Sequence, residues 1–103
     1  MRWATNLYVG GEAKAYKNQI IRKIKKHKFQ LEVYVLCVTK TEKSILNIYP
    51  AHILNQKFYR DFPMFIVGLA VGYEEALAVC EKMVLDCFNE TGHFDIEKFM
   101  EEK

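Results

Sequence analysis

Two segments of this chain are apolar at nearly every position, and they restrict the folds that it can adopt. They span residues 33–38, which are rich in β-branched and aromatic types, and residues 64–71. Both are far shorter than the ~20 apolar residues needed to cross a bilayer as a helix. Runs of this kind are typical of strands whose two faces are both covered. The sequence therefore predicts a sheet in which these strands are central.

The patterns around these runs predict the remaining elements. Apolar residues spaced three and four apart indicate helices over 12–28 and 73–90, and a polar turn at 40–43 joins strand 31–39 to strand 44–49. We also expect a brief strand at 7–9, one helical turn at 51–54, and a closing helix, 96–103, that begins at Asp95. The fold class is α+β, a single domain over 1–103. Its small, mainly antiparallel sheet has three or four strands, and two main helices give the order α-β-β-β-α.

Hairpin-like links between the strands favour helices on one face of the sheet. The other face is then apolar, and either the terminal segments or a second copy of the chain covers it. Exposed apolar surface of this extent usually marks a contact surface. The sequence therefore favours a homodimer that associates through its sheet. On the second main helix, the residues expected to face the core are Ala76, Leu77, Cys80, Met83, Val84, Cys87 and Phe88.

The sign of the charge reverses along the chain. Residues 1–60 contain 12 Lys or Arg and 3 Asp or Glu, whereas residues 61–103 contain 3 and 10, so the net charge of +2 conceals a bipolar molecule. Much of the positive charge lies on helix 12–28, opposed only by Glu12. This wide positive face is a solvated surface, a contact for nucleic-acid phosphates or a contact for an acidic partner. Its basic residues are Lys14, Lys17, Arg22, Lys23, Lys25, Lys26 and Lys28.

The composition of this helix argues against recognition of bases. Lysine dominates and Arg22 is the only arginine, so bidentate contacts to base edges are not indicated. The only aromatic residue, Tyr16, belongs to the apolar stripe with Ala13, Ile20 and Ile24, and we expect it in the core. Base stacking is therefore not indicated either. A nucleic-acid contact made by this helix would be salt-dependent and independent of sequence.

Catalytic, metal and cofactor motifs do not stand out, and we assign no catalytic residue. The three cysteines are odd in number and widely spaced, which predicts free thiols in a reducing compartment. The three histidines lack companions at ligand spacing, so neither a metal nor a cofactor is expected. An enzyme is the weaker functional class. The candidates for a small-ligand pocket are His52, Tyr59, Arg60, Gly72 and Tyr73.

Segments 7–12 and 69–74 share an apolar run, a glycine and a helix that opens on glutamate. A strand that turns sharply into a helix presents free backbone N–H groups, which can hold an anion. The glutamates in the first helical turns already meet that positive end. We therefore favour a structural turn at both places over an anion site.

The predicted order of helix, three strands and helix resembles that of double-stranded RNA-binding domains over about 12–90. That family grips phosphates with a lysine-rich opening of its last helix. The matching stretch here, 72–77, has the opposite charge in Glu74 and Glu75. The resemblance lies in element order alone and implies no binding of double-stranded RNA.

Six short motifs are spread over nearly the whole chain: Asn6-Leu7-Tyr8-Val9-Gly10, Ile21-Arg22-Lys23, Tyr49-Pro50, Ile66-Val67-Gly68-Leu69-Ala70, Gly72-Tyr73-Glu74-Glu75-Ala76 and Thr91-Gly92. In this combination the chain resembles a family of small single-domain proteins of unknown function from anaerobic Gram-positive gut bacteria. The resemblance implies an independent bacterial protein and supplies no activity, ligand or site. The N-terminus lacks the features of a signal peptide, and we expect a soluble cytoplasmic protein.

Three functional hypotheses follow from the sequence. The first is a non-enzymatic interaction module that self-associates. The second is a nucleic-acid-binding protein that uses the basic helix 12–28. The third is a small-ligand-binding protein or enzyme with a pocket near residues 52–73.

Overall fold

The computed structural model describes residues 1–40 and 44–103, and within them four strands form one mixed sheet. The strand order is β1-β4-β2-β3, with β2 antiparallel to both of its neighbours and β1 parallel to β4. A mainly antiparallel sheet in an α+β fold was predicted and is confirmed. Residues 41–43 of the predicted polar turn lie outside the described residues. The strands are β1 (Arg2–Val9), β2 (Val33–Lys40), β3 (Ser44–Pro50) and β4 (Met64–Val71).

Two of the described helices are long, as predicted, and three are short. Helix α4 ends at Gly92, whose positive φ of 79° suits the left-handed position that commonly terminates a helix. Asp95 caps α5 by accepting a hydrogen bond from the Lys98 backbone N–H at 3.1 Å, also as predicted. The predicted turn at 51–54 is a 3₁₀ helix, Ala51–Asn55. The α-helices are α1 (Gly11–Lys14), α2 (Lys17–Lys25), α3 (Lys57–Arg60), α4 (Tyr73–Thr91) and α5 (Ile96–Glu101).

The helix predicted over 12–28 is divided into α1 and α2. Tyr16 separates them because its backbone, with φ −120° and ψ 15°, leaves the helical range. Ala13, Ile20 and Ile24 are buried as expected, but Tyr16 is 58% exposed. The prediction that Tyr16 lies in the core is wrong, since the interruption breaks the periodicity on which that prediction depended.

Helices cover both faces of the sheet, so the expectation of helices on one face is wrong. Side chains of β2 alternate in direction. Leu36 and Val38 belong to the core beneath α4 and α5, whereas Val35 and Cys37 belong to the core beneath α1, α2 and the 3₁₀ helix. The chain itself therefore covers the sheet face that the sequence left to either the terminal segments or a second copy.

Helix α4 buries a narrower stripe than the sequence predicts. Ala76, Met83 and Cys87 are buried as expected, and Val79 joins them. Cys80 and Val84 are half-buried, whereas Leu77 and Phe88 remain close to half-exposed. These last residues lie on the flank of α4, beyond the strip that the sheet covers.

The two helical layers carry opposite charge. Residues 11–28, on the α2 side of the sheet, contain seven Lys or Arg and one Glu. Residues 73–103, on the α4 side, contain three Lys and nine Asp or Glu. The reversal of charge along the sequence thus becomes a separation of charge across the sheet. Because the sheet lies between the layers, the acidic residues of α4 and α5 form no ion pair with the basic residues of α2 among the described residues.

Candidate nucleic-acid interface

The basic residues predicted as a contact surface lie on α1, α2 and the turn that follows α2. Lys17 and Lys23 are half-buried, and the other five are exposed. Among the described residues, none of the seven forms an ion pair. One is engaged by a ring: Lys25 Nζ lies 5.7 Å from the centre of the Trp3 ring, a cation–π contact. Most of this positive charge therefore faces solvent without a neutralising partner among the described residues.

Four of these cations surround one open depression of about 410 Å³, which Gln19 also lines. They are Arg22, Lys23, Lys26 and Lys28. Some of their charge offsets the partial negative charge at the C-terminal end of α2. Several like charges around a concave surface nevertheless raise the local potential and concentrate counter-ions of the opposite sign. The depression is therefore suited to an anionic ligand.

A second cavity, of about 310 Å³, adjoins this depression, since Gln19 and Lys23 line both. Its wall contains three exposed apolar side chains, Tyr16 (58%), Phe29 (65%) and Leu31 (73%). Sequence reasoning missed Phe29 because it lies in a connecting loop without periodicity. It missed Leu31 because that residue was assigned to the strand predicted over 31–39, whereas β2 begins at Val33. Their position directly after the run of lysines was the available clue. The structure thus places aromatic surface next to the cations.

The loop that presents Phe29 and Leu31 is fixed at both ends. His27 (φ 57°) and Glu32 (φ 65°) adopt the left-handed conformation. His27 N–H donates to the Ile24 carbonyl at 3.1 Å and Lys28 N–H to the Lys23 carbonyl at 2.9 Å. These two bonds form the Schellman motif, in which glycine usually occupies the place of His27. The end of α2 is therefore well defined, although its sequence lacks the usual glycine.

Gln30 anchors the middle of this loop. Its side chain is buried, and its Nε2 donates a hydrogen bond to the Ile20 carbonyl at 3.2 Å. The neighbours on either side, Phe29 and Leu31, are exposed as a consequence. The His52 ring stacks on Phe29, with 5.4 Å between ring centres. An exposed aromatic side chain is thus held in place by a second ring and an anchored backbone.

Two of the residues predicted to form a small-ligand pocket lie on different faces of the sheet. Tyr59 contacts Tyr49 on the α2 side of the sheet, whereas Tyr73 contacts Tyr34 on the α4 side. Gly72 directly precedes α4, and its N–H donates to the Glu32 carbonyl at 2.7 Å. The side chain of Arg60 lies outside the described part of the structure. Tyr59 and Tyr73 therefore contact opposite faces of the sheet and do not line one pocket together.

The two similar segments at 7–12 and 69–74 lie side by side, because β1 runs parallel to β4 with Val9 opposite Leu69. The N–H groups at the start of α1 are occupied by a carboxylate of the chain itself. Glu75 accepts hydrogen bonds from the Glu12 N–H (3.0 Å), the Ala13 N–H (3.2 Å) and the Val71 N–H (3.0 Å). The turn is therefore structural, as favoured, and Glu75 occupies the position of the anion.

The three thiols are free, as predicted; Cys37 and Cys87 are buried, and Cys80 is half-buried. Burial raises the pKa of the Cys37 thiol to about 12, and burial also raises the pKa of Cys80. These two thiols are therefore poor nucleophiles at neutral pH. Among the described residues, no cluster of three or more His, Cys, Asp and Glu side chains is placed to hold a metal ion.

No family model, curated protein or solved structure matches the chain. The resemblance to small gut-bacterial proteins consequently remains a prediction. Within residues 1–40 and 44–103, no helix is both long and apolar enough to cross a membrane. The surface around α2 is therefore the feature from which a function can be inferred.

Proposed function

We propose that this protein binds nucleic acid through the surface made by α1, α2 and residues 26–32, which we call the basic face. The observation that carries the proposal is the depression between Arg22, Lys23, Lys26 and Lys28, directly beside exposed aromatic side chains. Cations that neutralise phosphates release condensed counter-ions, and this release drives binding. Aromatic side chains next to the cations offer a second kind of contact, because every base has a flat face.

The alternative is a basic face that is merely solvated. Solvation accounts for lysines, but it gives no reason for Tyr16, Phe29 and Leu31 to remain exposed around one cavity. The sequence argued against base stacking because Tyr16, the only aromatic residue of the predicted helix, was expected in the core. That objection no longer holds, since Tyr16 is exposed. The charge and the aromatic surface together favour binding.

The test is a titration of fluorescently labelled oligonucleotides at ~50 and ~200 mM salt, the range in which phosphate binding weakens steeply. We compare the wild type with the triple variant Arg22→Gln/Lys26→Gln/Lys28→Gln. The slope of log K against log salt is negative, and each phosphate contact contributes about −0.7 to it for a single strand. The slope of the triple variant should therefore be less steep than that of the wild type by about 2.

The matched control is the triple variant Lys82→Gln/Lys98→Gln/Lys103→Gln, which removes the same amount of charge from the opposite side of the sheet. We expect it to retain both the affinity and the salt dependence of the wild type. If both triple variants weaken binding equally, net charge rather than the basic face is responsible. Absence of binding by the wild type at low salt would contradict the proposal outright.

A second candidate function is self-association through α4, which a separate observation supports. Leu77 and Phe88 are close to half-exposed, Val84 is half-buried and Tyr73 is exposed, so they form an apolar stripe along one flank. The stripe is nearly symmetrical: turning α4 end over end about its middle places Tyr73 against Phe88 and Leu77 against Val84 of a second copy. Two-fold dimers require such self-complementary surfaces.

Sedimentation over a range of protein concentrations tests this candidate. We expect a dimer that Leu77→Glu converts to a monomer, because a charge at each of two related positions opposes association. Phe58→Glu is the control, since Phe58 is also exposed but lies on α3. A wild-type monomer at the highest concentration eliminates self-association, leaving the nucleic-acid proposal unaffected.

A further inference from the structure

The kind of nucleic acid bound by the basic face can be inferred from the cavity beside it; this inference rests on the proposed function. We propose that the ligand is single-stranded and that one of its unpaired bases enters the cavity lined by Tyr16, Phe29 and Leu31. The phosphates on either side of that base then lie over the neighbouring cationic depression. DNA and RNA share this chemistry.

The size and lining of the cavity suit a base. An enclosed apolar cavity of about 150 Å³ holds benzene, and this cavity, which is open to solvent, measures about 310 Å³ and has room for a base. Three of its lining side chains, Tyr16, Phe29 and Leu31, are exposed and can contact the flat face of a base. The polar side chains of Gln19, Lys23 and Gln30 also line it and suit the edge and the phosphate of a nucleotide. The Phe29 ring is supported by His52 at 5.4 Å, so a stacked base extends an existing pair of rings. Stacking on a ring that is already positioned loses less side-chain entropy on binding.

A duplex makes poor use of this arrangement. Bases in a duplex are stacked on one another and present only their edges in the grooves. Aromatic side chains contact base faces chiefly in single strands, where the bases are unstacked. A duplex on the basic face would contact the cations and leave the aromatic cavity empty. The exposed rings therefore favour a single strand.

Lys23 links the two parts of the site. Its side chain is half-buried and lines both the aromatic cavity and the cationic depression. A base and its own phosphate are covalently joined, so a site for both needs a cation at the boundary of the aromatic surface. Gln19 lies at the same boundary and offers a hydrogen bond to a base edge or a sugar. These positions place base and phosphate in adjacent cavities.

The experiment compares three strands of about 12 nucleotides, within the range that single-strand sites cover. They are oligothymidylate, oligouridylate and an abasic strand that keeps the phosphates and sugars but lacks bases. We expect the wild type to bind at least one of the two base-containing strands about 5- to 150-fold more tightly than the abasic strand, the range for one base stacked on one ring. A preference between thymidylate and uridylate that persists when oligodeoxyuridylate replaces oligothymidylate comes from the sugar and identifies DNA or RNA as the source.

Tyr16→Ala and Phe29→Ala should each remove most of that difference while leaving the salt dependence unchanged. Phe29→Tyr keeps an aromatic ring and should retain the difference in affinity between base-containing and abasic strands, whereas Phe29→Leu should lose it. The matched control is Phe94→Ala, since Phe94 is 62% exposed near the end of α4 and away from the basic face. All of these side chains are solvent-exposed, so the variants should fold, and circular dichroism checks that they do.

The possible results separate this inference from the proposed function. Equal binding of all three strands by the wild type overturns the single-strand inference but leaves salt-dependent phosphate binding in place. Loss of affinity for every strand, the abasic one included, in the alanine variants also overturns it, because the rings then act without bases. Absence of binding to any strand at low salt refutes both the inference and the proposed function. Unchanged thymidylate and uridylate binding by Phe29→Ala and Tyr16→Ala excludes the cavity.

Discussion

The effect of substituting Gly10 on the free energy of unfolding should depend on whether Glu75 is present. Glu75 joins three elements, because it accepts N–H donors from α1 and from the end of β4 while belonging to α4. A Cβ added at Gly10 would overlap the side-chain carboxylate of Glu75. The backbone of Gly10, with φ −64° and ψ 161°, is one that alanine adopts readily. Gly10 is therefore required for space and not for its conformation.

The magnitudes follow from the hydrogen bonds. A bond to a charged group contributes about 1.5–3 kcal/mol, and two of the three bonds to Glu75 are part-buried. Glu75→Ala should therefore lower the free energy of unfolding by about 3 kcal/mol. Gly10→Ala displaces the carboxylate and so loses the same hydrogen bonds, but alanine also restricts the unfolded chain, which stabilises the fold by about 0.5 kcal/mol. Gly10→Ala should therefore lower the free energy of unfolding by about 2.5 kcal/mol.

The double variant distinguishes this account from two independent effects. Once Glu75 is alanine, the methyl group at position 10 no longer meets a carboxylate, and Gly10→Ala should stabilise the protein by about 0.5 kcal/mol. The sign of the Gly10 effect thus reverses, with a coupling energy of about 3 kcal/mol. Urea unfolding of the four proteins, followed by circular dichroism, measures these quantities.

Gly11→Ala is the matched control for the cycle. No atom lies within 4 Å of a Cβ at Gly11, and the residue begins α1. We expect an effect between neutral and about 1 kcal/mol of stabilisation, the difference in helix propensity. If Gly10→Ala costs the same in the presence and absence of Glu75, the proposed contact between them is refuted.

Two further predictions concern single sites. His27→Gly should raise the free energy of unfolding by up to about 1 kcal/mol, because glycine avoids the strain of φ 57°. The control is Lys26→Gly, which should lower the free energy of unfolding because φ is −93° there and glycine relieves no strain. Thermal unfolding checks both variants. The Tyr8 hydroxyl, which donates to Asp86 at 2.7 Å, and the Lys82 ammonium hold the pKa of Asp86 below its ordinary value. Because the pKa of Asp86 is lower in the folded protein, its carboxylate stabilises the fold at any pH above the unfolded pKa of ~3.9. This stabilisation is lost as the pH falls from that value through the pKa of the folded state. Tyr8→Phe should raise the pKa of Asp86 and reduce this dependence, as an NMR titration of the carboxyl would show; an unchanged pKa contradicts the assignment.

Only some residues of the candidate site could be identified from the sequence pattern. Its cations were evident from composition, because a run of lysines on the exposed side of a helix needs no partner to be exposed. Its aromatic residues were not. Tyr16 fitted the apolar spacing of one continuous helix, and only the break at that residue turns it outward. Phe29 and Leu31 are exposed because Gln30, between them, is held by the Ile20 carbonyl.

The sequence by itself determined the strongly patterned elements and their ends. The strand at 64–71 and the helix from Tyr73 were located from residue types alone, as were the stop at Gly92 and the cap at Asp95. Propensity, periodicity and capping act between residues that are near in sequence, so a local pattern is sufficient to specify them.

Only the tertiary structure decided how these elements are arranged. The insertion of β4 between β1 and β2 brings together residues about 60 positions apart. That insertion places α2 and α4 on opposite faces, separates their charges, and allows Glu75 to reach α1. Apolar runs on both sides of a strand require that each face be covered, but they do not specify which segment covers it. That choice depends on contacts between distant residues, which no local pattern contains.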